Sequence, residues 1–165
     1  MSQLKVNSIV PTGGLPAGAA GGGIIQTVTA SSKTTYSFTS SSYTDTDIQV
    51  NITPSSASSK VLVSCTLVSM CYATNSTSLG IQLVRDSTAV WNANEYHWHS
   101  VNAAVAITYS SFFQFLDTPN TTSQTLYKIQ GARYRTSNGT QQAKLNQIPS
   151  NTSHGCIIVA QEVTG

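Results

Sequence analysis

Charge is what this sequence most lacks. Only 8% of its 165 residues are Asp, Glu, Lys or Arg, against about 25% in an ordinary globular chain. Lys33, Lys60, Arg85, Lys128, Arg133, Arg135 and Lys144 are scattered, and only "GARYR" brings two bases close together. A surface that tracks phosphates needs a basic stripe or patch, so the formal net charge of +2 gives no reason to expect nucleic acid. Long apolar runs are missing too. Nothing approaches the roughly 18 apolar residues of a membrane helix, and the first residues lack the apolar stretch of a secretory signal. Neither a membrane nor a secretory route is expected. The Asn-x-Ser/Thr triplets at 75 and 120 then read as accidents of composition rather than glycosylation sites.

Cysteine is sparse. Cys65, Cys71 and Cys156 are odd in number and carry no paired spacing, which argues against a disulfide framework. Cys65 and Cys156 sit in apolar runs and read as small core residues. Good helix formers are scarce, with only two Glu in the chain, and no segment keeps a 3.6-residue period.

Ser and Thr fill the space: 24 and 22 of them, with 11 Gln and 10 Asn. Such a surface is polar yet nearly uncharged, and copies of it do not repel one another. Val, Ile and Thr dominate short segments bounded by Ser, Asn, Gly and Pro clusters, the pattern of strands and turns. "DIQVNI" places Ile48, Val50 and Ile52 on one face. "KVLVSCTLVSM" (60–70) is apolar on both faces, as in a strand covered from two sides. Residues 79–91 read as a hairpin turning at Asp86-Ser87, 104–117 as a long aromatic strand, and 125–135, 142–148 and 156–163 as further strands. "CYATNSTS" reads as a loop or edge. Asp45 and Asp47 read as solvated turn residues before a strand. Asn138-Gly139 is a hairpin signal. Eight to ten strands without helices predict an all-β fold: an antiparallel β-sandwich of jelly-roll type over residues 24–165.

Residues 1–23 stand apart. "LKVNSI" alternates weakly, and "PTGGLPAGAAGGG" has six Gly and two Pro in 13 residues. That composition holds neither a helix nor a central strand and reads as an extended or flexible arm. Ordering some 20 residues costs roughly 20–40 kcal/mol of backbone entropy. Burying Leu4, Val6, Ile9, Val10 and Leu15 returns about 8–15 kcal/mol. Side chains alone therefore do not order the arm: either "LKVNSI" adds a strand to a partner's sheet edge or the Gly segment stays loose, and the arm reaches about 75 Å when extended. These five residues are the candidate partner anchors.

Chemistry is harder to find. "NEYHWH" puts Glu95, His97 and His99 on one strand face. Two imidazoles and a carboxylate suit zinc, but a further ligand, from His154 or Asp86, has to converge from elsewhere. The competing reading turns Tyr96 and Trp98 inward and leaves the imidazoles to solvent. A third makes Tyr96, His97, Trp98 and His99 a contact for a ligand or subunit. No metal and no cofactor is expected. No nucleophile elbow, phosphate loop or paired-carboxylate pattern is present, so no enzyme is expected. In "YSSFFQFL", Phe113 and Phe115 share one face and read as core, while Phe112 and Gln114 take the other. An outward Phe112 needs covering and points to a subunit interface.

The order of "LKVNSI", "GGGIIQ", "ITPSSASSKVLV" (52–63), "LVRDST" (83–88) and "FLDTPNTTSQTLYKIQ" (115–130) resembles a recurrent group of small virion proteins of tailed phages, marine and cyanobacterial ones above all. "NEYHWH" lies outside that pattern. The resemblance implies a β-sandwich on a phage particle, as a capsid decoration (cement) protein or, alternatively, a tail-fibre or adhesin domain binding host surface glycans. It also implies a homo-oligomer, commonly a trimer, held by the major capsid protein or another virion protein.

Overall fold

The computed structural model describes residues 23–74, 76–101, 106–135, 140–147 and 155–164. Residues 1–22, and with them the candidate anchors Leu4, Val6, Ile9, Val10 and Leu15, lie outside these, as do Asn138, Gly139 and His154.

Ten strands follow one another: β1 (Ile24–Ser32), β2 (Tyr36–Phe38), β3 (Thr44–Ile52), β4 (Lys60–Ala73), β5 (Ser76–Arg85), β6 (Thr88–Val101), β7 (Ile107–Asp117), β8 (Thr125–Tyr134), β9 (Gln141–Leu145) and β10 (Cys156–Val163). No helix occurs among the described residues. The strands form two antiparallel sheets, so the expected all-β sandwich is what the chain builds. The first sheet has the order β1-β10-β4-β9-β2, with β7 also on β4; the second is β3-β8-β5-β6.

β4 organises the first sheet. β10 pairs with Lys60–Thr66 and β9 with Ser69–Ala73, one after the other along the same side of β4, while β7 pairs along the opposite side. β1 and β2 likewise follow one another along β10 and β9. Asn146 holds the joint between β9 and β10. Its amide donates to the Ser32 and Thr34 carbonyls at 3.1 Å each, and its Oδ1 accepts from Cys156 N at 2.8 Å. Its own N–H donates to Val68 O, and its carbonyl accepts from Thr35 Oγ1, both at 2.8 Å. A buried amide with all its groups paired is a specific lock rather than a cost.

Period-2 alternation sets the core. Ile48, Val50 and Ile52 of β3 are buried as the pattern predicts, and Val61, Val63, Cys65 and Leu67 of β4 face them. Leu79, Ile81, Leu83, Tyr127, Ile129, Ile158 and Ala160 complete the layer. Cys65 and Cys156 are core residues, as expected, and Cys71 joins them. Burial pushes the Cys71 thiol up to about 12 and that of Cys156 to about 11, so both are inert thiols. A Cβ at Gly131 would collide with the Phe38 ring, which is why glycine stands where β8 passes closest to β2.

Several local expectations give way. Most of "CYATNSTS" is strand rather than loop: β4 runs through Ala73 and β5 starts at Ser76, because the buried Cys71 and Ala73 continue the core alternation through polar neighbours. Asp45 and Asp47 lie inside β3, on its outward face, where the alternation leaves acids solvated. β8 and β9, the strands on either side of Asn138-Gly139, do not pair with each other: β8 pairs with β3 and β5, and β9 with β4 and β2. A turn signal reports a reversal of the chain, not which strands then pair. β4 is covered on one face only. Leu62, Ser64 and Val68 on its other face are partly exposed. β2 is too short to carry a pattern and has no counterpart in the sequence reading.

Candidate interaction surface

The sandwich has two flanks, and they are closed by different chemistry. On one, β1 and β2 lie beside β3. Here Thr34 Oγ1 donates to Asp47 Oδ2 at 2.7 Å, Asp47 N donates to Tyr36 OH at 2.8 Å, and Gln26 Nε2 donates to Thr53 O at 2.7 Å. On the other, β7 lies beside β6. The inward residues of β7 pin it to the second sheet. Phe113 stacks on Trp91 with ring centroids 4.1 Å apart and planes 9° apart. Asp117 accepts from Arg85 Nη1 at 2.9 and 3.0 Å and from Tyr127 OH at 2.7 Å.

His97 supplies the third pin. Its Nε2 lies 2.9 Å from Ser111 Oγ of β7 and 3.4 Å from Ser69 Oγ of β4. Burial pushes its pKa down to about 4, so the imidazole is neutral in ordinary buffers, and its Nε2 donates to or accepts from a serine hydroxyl according to tautomer. His97 is half-buried, turned toward Ser69 and Ser111 rather than wholly out to solvent. β6 carries register shifts against β5 from Leu79 to Ile81 and from Ile81 to Gln82, and Asn94 has a φ of 53°. Such bulges re-aim side chains. Tyr96, Trp98 and His99 belong to β6, with Trp98 opposite Leu79 and His99 opposite Ser78. Their side chains, and that of Glu95, lie outside the described ones. Among the described residues no cluster of three His, Cys, Asp or Glu converges.

Segments 52–63, 83–88 and 115–130 meet at one end of the sandwich. Glu162, fully buried on β10, accepts from Ser55 N at 2.8 Å, Ser55 Oγ at 2.7 Å and Gln26 Nε2 at 2.6 Å. Burial works to raise its pKa, but hydrogen bonds from Gln26, Ser55 and Ser59 outweigh it and hold it at about 2. "ITPSSASSK" is thus a folded loop wrapped on a carboxylate. Asp86 N donates to Leu126 O at 2.8 Å and Asp86 Oδ1 accepts from Leu126 N at 2.9 Å, joining "LVRDST" to "TLYKIQ". The Asp117–Arg85–Tyr127 cluster lies at the same end, since Asp117 pairs with Val61 and Lys60 with Val163. So does the chain entry, where Gly23 N donates to Thr164 Oγ1 at 3.2 Å and Thr164 N to Gly23 O at 3.3 Å. Sequence reasoning missed Glu162 and Asp117 as anchors. A lone acid ending an apolar strand, as in "CIIVAQEV", is the signal that could have found Glu162.

The outward face of the first sheet is the exposed apolar surface. Pairing register puts Ile157, Thr66 and Phe112 in one cross-strand row and Leu62 and Leu116 in another. Phe112 is 63% exposed and Leu116 50%. Phe112 and Gln114 point out and Phe113 and Phe115 pack inward, as the alternation predicts. Further along this face Met70, Ala106, Thr108, Gln142, Lys144 and Gln147 line a cavity of about 220 Å³. No protein-family model matches the chain, and no curated protein matches its sequence.

Proposed function

We propose that the chain is a non-enzymatic structural protein of a tailed-phage particle: a capsid decoration (cement) protein that grips neighbouring subunits through residues 1–23 and stabilises the shell. The observation that carries this reading is where the phage-like segments lie. Residues 52–63, 83–88 and 115–130 supply the polar locks around Glu162, Asp117 and Asp86. Those locks stand at the end where the chain enters at Gly23. What is shared with the virion proteins is then a braced root for the arm.

Strand order supports the jelly-roll form. With β1 and β2 counted as one row, and β9 and β10 as another, eight rows run 1-8-3-6 and 2-7-4-5 through the two sheets. That is two interlocked Greek keys, an architecture used in viral shells. A polar surface almost without charge suits close packing of many copies.

Deleting residues 2–20 tests the tether. The truncated protein is expected to fold, with unchanged circular dichroism and melting, yet to be missing from purified particles. Normal incorporation overturns the reading. Copy number per particle separates decoration from a fibre or adhesin: a count that scales with capsid subunits supports the first, a handful the second.

A further inference from the structure

Four edges bound the two sheets, and three are protected against pairing. The β3 edge projects Asp45, Asp47, Gln49 and Asn51 and breaks register between Asp45 and Gln49. The β6 edge is interrupted by its bulges and by Asn94. The edge made by β1 and β2 is split, with a bulge at Ile24–Gln26. β7 has none of these devices. Its eleven residues keep unbroken register with β4 from Ile107 to Asp117, without Pro or Gly. Its one carboxylate, Asp117, is buried and bound by Arg85 and Tyr127. Among the described residues no strand pairs with its other side. Of the seven exposed large hydrophobics among the described residues, four, Ile107, Tyr109, Phe112 and Leu116, are on this strand.

We infer that β7 docks on β7 of a second copy, antiparallel, about a twofold axis at Phe112. Phe112 is the middle residue of the strand. With the axis there, Phe112 faces the partner copy's Phe112, Ser110 faces Gln114, and Thr108 faces Leu116, so no like charges meet. The row Ile157–Thr66–Phe112 continues across the axis into its own image, and the two first sheets become one. Both strands are already ordered by their inward pins, so joining them carries none of the ordering entropy that the arm would have to lose at the same edge. The contact is isologous and closes on itself. It goes beyond the proposed function, and it departs from the threefold assembly that the phage resemblance implies.

The full-length protein is the test material. Light scattering should give the mass of two chains. Phe112→Lys should give the mass of one, with unchanged circular dichroism, because the side chain it replaces is exposed; Leu116→Lys is the second such variant should the first not fold. Phe112→Cys should form an interchain disulfide on mild oxidation, since directly opposite strand residues lie within disulfide reach and the native thiols are buried. A single-chain mass for the wild type overturns the inference. So does a three-chain mass without the Phe112→Cys cross-link, or a dimer that survives both lysine substitutions. A dimer lost on deleting residues 2–20 yet kept in Phe112→Lys overturns it in favour of the arm.

Discussion

β3 and β7 are both edge strands, on opposite flanks of the same sandwich, and they treat their surroundings in opposite ways. β3 alternates acids and amides outward and joins β1 and β2 through several modest hydrogen bonds. β7 is anchored on its inward side by an ion-pair cluster, an aromatic stack and an imidazole, and presents apolar residues on the other. Polar lacing is distributed and tolerant. A few buried pins concentrate the flank's stability in single residues.

Three changes sharpen that contrast. Asp117→Ala should have the largest effect. It removes the ion-pair partner of the partly exposed Arg85 and leaves the buried Tyr127 hydroxyl unpaired, which costs about 2–4 kcal/mol, read as a lower urea midpoint.

Acidification comes next. Burial holds His97 near 4, below its ordinary 6.5. Between those values the unfolded chain takes a proton that the folded one refuses. Stability should therefore fall as pH drops from about 6.5 to about 4, by at most about 3 kcal/mol. Unfolding midpoints across that range should flatten in His97→Gln. Glu162 acts lower. Its carboxylate, held at about 2, contributes stability that is complete above about 4.5 and is lost as pH falls toward 2.

The smallest change is on β3. Asp45 is held below the usual carboxylate range by hydrogen bonds from Lys128 and Gln130, but its side chain is 60% exposed. Asp45→Asn should shift stability by about 0.5 kcal/mol or less. A loss comparable with Asp117→Ala would erase the distinction between the flanks.

Much of this was legible in the chain. The alternation of Ile48, Val50 and Ile52, the turn at Asp86-Ser87 and the split of Phe112 from Phe113 follow from a period of two. Pairing was not legible, because β8 and β9 are neighbours in sequence yet belong to different sheets, and no local signal states that. The inward pin at His97 was hidden because its partners, Ser69 and Ser111, come from distant strands. Glu162 and Asp117 were hidden because their partners come from distant segments.

The joint at Asn146 has a consequence for engineering. β9 and β10 keep step along β4 because one amide splices them, so the sheet does not measure how much polypeptide runs between Gln147 and Gly155. A foreign peptide grafted between these two positions should leave the melting temperature within a few degrees of the parent, and a large drop would show that the intervening stretch is itself a structural element.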